Sequence, residues 1–479
     1  MITEQRLPIQ EYEVEIRNPL VEEIVERLKE PTRLVGNWYM KVANPNFWYG
    51  RAFPGDFQDR QTLENFKEKF NMRSVGKPEL KNPYTFIDSR WRPRSINELS
   101  GVKELLEMIS QRLVPISELI KRTTNSHNYQ TFADYLYRTA EALPEGRFDD
   151  IMIDFLRLPA QFGIGWMALP VENYDDPLGI KASPQGFLSR TNWRQTRRTN
   201  RDIGEYRKVA KDLFGELPVD AKVVVAQSII NSGFLGREDK VFSAFNIPND
   251  PEISKRAGNT VIYIFPNKIA AKNEKKLSPA INRLCGVESL PKNIETFVVP
   301  HEFSHGYRPE GEADRLGAYR SHIREGWANR RAIILASSSM FPAGHLESAV
   351  VGHLAFACED ISQDLSRVVF DPFGRNQPDL NKLLEYDAYT LDAYLVLRRA
   401  FLERAIRSPF GTIDYNKIVR LAAETEPVYA DLAKNGTEHS VKQALGEMVD
   451  TKRHFFLFLP NLQASFSLLF EKFKPPVAS

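Results

Sequence analysis

The sequence predicts an α+β fold in two lobes, mostly helical, with a smaller share of sheet. Three observations carry this. The chain has 479 residues, more than one hydrophobic core usually serves, so two lobes or more are expected. Amphipathic helical patterns fill residues 1–160 and return from Phe297 to Val419, with apolar residues on one stripe. Between them lie two strand-like segments, one between Ala160 and Asp176 and one at 259–267.

In chain order, PLVEEIVERLKE (19–30) and GVKELLEMISQRLVPISELIKR (101–122) repeat apolar residues at helical spacing. The Trp/Tyr/Phe/Pro-rich stretch from Asn37 to Phe57 reads as an aromatic loop. GIGWMALPVENYDD is short, apolar and bounded by Gly and Pro, which suits a strand entering a turn. The basic run from Arg190 to Lys211 reads as a solvated helix face or an element between lobes. NTVIYIFPN is β-branched and aromatic, a strand. EADRLGAYRSHIREGWANRRAIILASS and DAYTLDAYLVLRRAFLERAI each read as one long helix. No internal repeat or low-complexity tract is seen.

Composition excludes several classes. With 42% hydrophobic and 26% charged residues the chain is an ordinary globular protein, not a disordered or fibrous one. Lys plus Arg total 64 against 62 Asp plus Glu, too balanced for a dedicated nucleic-acid binder. Only Cys285 and Cys358 are present, no disulfide framework, which fits a reducing compartment. The first residues carry acids where a secretory signal needs a basic start, and no stretch approaches the roughly 18 apolar residues of a membrane span. A cytoplasmic location is expected.

The chemistry concentrates in His301-Glu302-Phe303-Ser304-His305, an H-E-x-x-H motif. On a helix its imidazoles lie one turn apart on one face, a zinc-chelating geometry with a glutamate beside it. A catalytic zinc takes three protein ligands and leaves a position for water. Glu325, on the helical pattern SHIREGWANRRAI, is the third ligand if two antiparallel helices are joined by a turn at Pro309 and Gly311. One zinc per chain is expected. Asn329, one turn after Glu325, is placed to hydrogen-bond a metal-bound imidazole. The remaining histidines, His127, His322, His345, His353, His439 and His454, lack ligand spacing and read as structural. His322 stands out for sharing the Glu325 helix.

Four segments in order resemble dipeptidyl peptidase III and its shorter bacterial relatives, zinc exopeptidases with two lobes around a wide cleft. They are VENYDDPLGIKASPQGF (171–187), AFNIPND (244–250) followed by NTVIYIFPNKIAAKN, HEFSHGY, and IREGWANRRA. The resemblance runs from about Leu169 to about Ala400. It implies a mostly helical zinc lobe and a mixed lobe with a small β-barrel or sheet. The organisation it suggests is an N-terminal helical region at 1–168 that belongs to the mixed lobe, a β-containing substrate region at 169–275, the zinc lobe at 276–455, and a segment at 456–479 that returns to the mixed lobe. By the same resemblance, Glu172, Tyr174, Asn246 and Asn249 bind the substrate's free amino end, and Tyr389 stands where the family has a histidine that stabilises the tetrahedral intermediate.

Departures from the family pattern are visible. The motif has the plain five-residue form, and Arg324 and Asn329 replace acidic residues around Glu325, so the surroundings of the metal are expected to be less negative. Pro300 must start or kink the motif helix.

The expected function is a cytoplasmic zinc exopeptidase in which His301, His305 and Glu325 hold the metal and Glu302 is the general base. The expected partner is a short peptide or small-molecule substrate, with no nucleic acid and no membrane; the oligomeric state is open. Two other readings are a zinc enzyme acting on a non-peptide small molecule and a catalytically silent peptide-binding protein.

Overall fold

The computed structural model describes residues 7–42, 60–160, 162–172, 180–215, 218–237, 244–248, 250–269, 290–307, 309, 311–368, 388–406 and 413–449. These fall into two compact units. The first holds the described residues up to Asn200 together with Asp220–Lys268, and the second holds Arg201–Val219 and those from Ile269 onward. The expected segment at 456–479, Cys285 and most of the aromatic stretch beyond Val42 lie outside the described residues.

The first unit is built of helices α1 (Pro19–Val42), α2 (Arg60–Ser74), α3 (Val102–Thr123), α4 (His127–Ala142) and α5 (Phe148–Arg157), the short α7 (Pro251–Ala257), and the eight strands found among the described residues. The strands are β1 (Ile9–Glu11), β2 (Thr85–Ile87), β3 (Pro93–Ser95), β4 (Ile164–Glu172), β5 (Ser183–Thr191), β6 (Ala221–Gly233), β7 (Ala244–Ile247) and β8 (Thr260–Ile264). Helix α1 continues through Asn37–Val42, so the aromatic stretch begins as helix rather than loop. Its apolar stripe requires this: Val35, Trp38, Tyr39 and Val42 are all buried on the face that Val21, Ile24, Val25 and Leu28 begin.

The main sheet runs in the order β4-β5-β6-β8-β7, with β1 also paired to β6. Strand β6 serves two neighbourhoods. Its first half, Ala221–Val225, lies parallel to β8, and the rest lies antiparallel to β5 and β1. Among the described residues β4 and β7 each pair on one side only, so the sheet is open and not a closed barrel. One core covers it: the Trp166 indole N–H donates to Thr32 Oγ1 of α1 at 2.9 Å, and Phe155, Phe187, Phe245, Tyr263 and Phe265 pack ring against ring. Residues on both sides of position 168 therefore share this core.

Sheet content exceeds what the sequence suggested. β5 was not singled out because Pro184 and Gly186 interrupt its pattern, although Phe187 and Leu188 are wholly buried. β6 carries β-branched residues at 223–225 and 229–230 and so had a readable signal. The basic run forms α6 (Trp193–Phe214); Arg194, Arg197, Arg198, Arg201, Lys208 and Lys211 are exposed, and Ile203, Tyr206, Val209 and Ala210 are buried.

The second unit is mostly helical among its described residues: the C-terminal part of α6, then α8 (Leu290–Ser304), α9 (Glu312–Leu316), α10 (Arg320–Ala336), α11 (His345–Val368), α12 (Ala388–Leu402), α13 (Tyr415–Asn435) and α14 (Glu438–Val449), with one β-bridge between Ile406 and Ile413. The run expected as one helix at 312–338 is broken by a 3-10 turn at Gly317–Tyr319. Gly317 has φ of +48° there, a conformation open to glycine. The link between the two motif helices is thus a turn, a short helix and a second turn, not the single tight turn expected. Helix α10 packs on α8, α12 and α13, with Ile323, Trp327, Ala328, Ala332 and Ile333 buried. No helix among the described residues is long and apolar enough to cross a membrane.

Candidate metal centre

Helix α8 places the motif near its end. Phe297, Val298, Val299 and Phe303 are buried and anchor the helix against its neighbours. The helix begins at Leu290 and runs through Pro300, so the proline does not start it. His305 lies one residue past the assigned end, yet its N–H still bonds the His301 carbonyl at 3.3 Å. The two imidazoles therefore keep the one-turn spacing that puts them on a common face.

The three expected ligand residues converge. His301 Nε2 and His305 Nε2 lie 3.1 Å apart, and Glu325 Oε2 lies 3.4 and 3.3 Å from them. His301 is 8% and Glu325 5% exposed. Among the described residues this is the group of His, Cys, Asp and Glu whose ligand atoms come together, all within 4.8 Å of one another. Glu325 Oε2 is buried and makes no hydrogen bond of ordinary geometry.

Burial tends to raise the Glu325 carboxyl, but the neighbouring His305 and His301 imidazoles outweigh it and hold the group below the usual carboxylate range. Burial pushes His305 down to about 4, only partly opposed by Glu325. His301 is also opposed by burial, yet the neighbouring Glu325 carboxylate leaves it raised. A divalent cation among the two Nε2 atoms and Glu325 Oε2 would satisfy the lone pairs of both rings and the buried carboxylate oxygen together, so the set fits such an ion. Glu302 lies beside it, its carboxyl pushed up to about 7 by burial.

Helix α10 is held by two buried ion pairs. Arg330 Nη1 donates to Asp392 Oδ1 of α12 at 2.5 Å, and Arg331 Nε donates to Glu426 Oε1 of α13 at 2.8 Å. Glu426 also accepts from the Trp327 indole at 2.8 Å, while the Arg331 guanidinium lies 3.8, 4.1 and 4.3 Å from the ring centroids of Tyr307, Trp327 and Phe214. Removing one partner of such a pair typically costs about 3–5 kcal/mol, because the other charge stays buried alone. Gly326, next to Glu325, lets these side chains approach the helix: a Cβ there would lie 2.2 Å from the Tyr429 ring and 3.0 Å from Asp392 Oδ1.

One acid, Asp392, lies behind Asn329, itself paired with Arg330. It is 2% exposed and accepts from Asn329 Nδ2 at 2.7 Å. Its signal was an acid on the otherwise apolar face of YTLDAYLVL. Arg324 has a local role too, its Nη2 donating to the His305 carbonyl at 2.9 Å, where a cation favourably meets the negative end of α8.

Among the other histidines, His345 pairs with the Tyr206 hydroxyl at 2.8 Å, and burial pushes His353 down to about 4. His322 lies 5.8 Å from Tyr319, ring to ring, and is not in the ligand group. Tyr389 sits on the first turn of α12, 41% exposed. Asn246 lies in β7, opposite Ile262, and is buried. Glu172 ends β4 opposite Ser183, just past an irregularity in the pairing. Tyr174 and Asn249 lie outside the described residues.

No family model matches the chain. No curated protein matches it either. Solved structures do: dipeptidyl peptidase III from Caldithrix abyssi, with a TM-score of 0.69 and 16% identity over 95% of this chain and 94% of that one, and dipeptidyl-peptidase III from Corallococcus sp. strain EGB, at 0.71 and 15% over 95% and 94%. The chain is thus an α+β protein with a buried His-His-Glu group. Its fold is like that of dipeptidyl peptidase III.

Proposed function

We propose that the chain is a zinc-dependent exopeptidase that cleaves short peptides near a free amino end. The observation that carries this reading is the convergence of His301, His305 and Glu325 beside Glu302. Two imidazoles and one carboxylate are the ligand set of catalytic zinc in peptidases of the thermolysin type. When bound, the ion supplies Lewis acidity toward a carbonyl and a water. Glu302 accepts the water's proton and delivers it to the leaving amine; its carboxyl, raised to about 7, suits that exchange. Tyr389, exposed on α12, donates a hydrogen bond to the oxygen that gains charge. Asn329 steadies the His301 ring.

Recognition of the amino end is assigned to Glu172, Tyr174, Asn246 and Asn249, with Glu172 supplying the charge and the asparagine carbonyls accepting from the ammonium. Strand β7 supports this, because among the described residues it pairs only with β8. Such an edge can add an extended peptide as one more strand.

A series of free and N-acetylated peptides tests the reading. Dipeptides should be released from free peptides, and N-acetylated ones should be poor substrates. Glu172→Gln should lower kcat/KM roughly 10- to 100-fold, the loss of about 1.5–3 kcal/mol for a charge-assisted bond. Tyr389→Phe should lower kcat in the same assay, and an unchanged kcat would return Tyr389 to packing. Efficient cleavage of blocked or internal bonds would remove the exopeptidase assignment and leave a metal hydrolase.

A further inference from the structure

We propose that Arg324 is a positioning residue that fixes His305 against Glu325 by holding the His305 main-chain carbonyl. The inference rests on the metal-binding reading above. His301 lies inside α8, but His305 lies one residue past its end. The His305 N–H still bonds the His301 carbonyl at 3.3 Å, whereas the next two N–H groups, of Gly306 and Tyr307, reach only three residues back, to Phe303 at 3.0 Å and Ser304 at 3.1 Å. A helix that ends in this way leaves its last carbonyls to outside donors. For the His305 carbonyl the helical donor would be residue 309, a proline, which has no N–H. The Arg324 guanidinium supplies the missing donor, its Nη2 lying 2.9 Å from that oxygen.

Arg324 directly precedes Glu325 on α10, so this one bond joins the backbone of one ligand residue to the neighbour of another. Glu312 of α9 braces the guanidinium: it is 4% exposed, and its Oε2 lies 3.9 Å from Arg324 Nε and 3.7 Å from Arg320 Nε. A second tie acts one residue later, where the Gly306 carbonyl accepts from the Val219 N–H at 3.1 Å. Gly306 permits that approach, since a Cβ there would lie 2.8 Å from Pro218. The acid that the family resemblance expects at position 324 could not hold the carbonyl, because an ionised carboxylate only accepts. Charge acts in the opposite sense. A guanidinium next to Glu325 repels a dication, so its charge weakens metal binding while its hydrogen bond supports it.

That opposition makes the test one of sign. Zinc affinity of the full chain would be measured in competition with a chelator, and the visible spectrum of the cobalt(II)-loaded chain would report the coordination geometry. Arg324→Met keeps an unbranched stem but removes both charge and donor. It should weaken zinc binding about 10- to 100-fold, the usual cost of losing support behind a ligand, and alter the cobalt spectrum, whereas loss of charge alone would tighten binding. Arg324→Lys keeps the charge and a donor, and should recover affinity to within a few-fold of the original together with the original spectrum. Glu312→Gln should weaken zinc binding too, and combined with Arg324→Met should add little, because both act through the same bond. The proposal is overturned if folded Arg324→Met binds zinc as tightly as the unaltered chain or more tightly, or if Arg324→Lys is no better than Arg324→Met. It is also overturned if Arg324→Met lowers the thermal melt of the metal-free chain but leaves the cobalt spectrum unchanged, as a merely structural role predicts. Should Arg324→Met fail to fold, Glu312→Gln decides the matter: weakened zinc binding supports the proposal, and unchanged binding overturns it. Failure of the unaltered chain to bind zinc would instead bring down the metal-binding reading, and this proposal with it.

Discussion

Glu302→Gln is expected to retain one metal ion per chain while turnover falls about 10²- to 10⁴-fold, the range that general acid–base work supplies. The amide matches the carboxyl in size, so the half-buried surroundings that raise Glu302 to about 7 accept it without a cavity. It cannot accept the water's proton. The three converging side chains are untouched, which keeps metal content near that of the original chain. Elemental analysis and steady-state hydrolysis of a free peptide check the two halves separately. Turnover near the original would show that Glu302 is not the base.

Glu325→Ala is expected to act on the metal itself. It removes one of three protein ligands, so zinc affinity should fall by at least the roughly 10- to 100-fold that losing even a supporting residue typically costs. The helix should survive, because α10 remains tied by Arg330 to Asp392 and by Arg331 to Glu426. A chelator competition against the original chain, with a thermal melt as control, reads the effect. Full occupancy in this variant would remove Glu325 from the ligand set, as it would for His305→Ala.

The ligand group was legible because it rests on one-turn spacing in two helices, and helices carry chemistry along the sequence at fixed intervals. What the sequence hid depends on contacts across the chain. Asp392 is separated by more than sixty positions from Asn329 and Arg330, so its meaning appears only when α12 meets α10. The same holds for Glu426, which joins Trp327 and Arg331 from α13. The sheet was harder to read than the helices for a related reason. β5 is buried on both sides of Pro184 and Gly186, and its pairing with β4 and β6 rather than its own pattern makes it a strand. In the Glu325 region, the break at Gly317 turned an apparently continuous helix into two, while leaving Glu325 and Asn329 one turn apart on the second.

The central claim is that the His301, His305 and Glu325 group holds a catalytic metal, and hydrolysis of a peptide library by the purified full chain tests it most directly. Metal content and cleavage products would be measured before chelation, after chelation, and after zinc is returned. The expected result is one zinc per chain, dipeptides released from free amino ends, loss of cleavage on chelation and its return with zinc. Cleavage of small esters or amides but of no peptide would move the substrate to another class while keeping the metal. Stoichiometric zinc with no hydrolysis of any substrate, or hydrolysis indifferent to chelation with no metal bound, would contradict the claim.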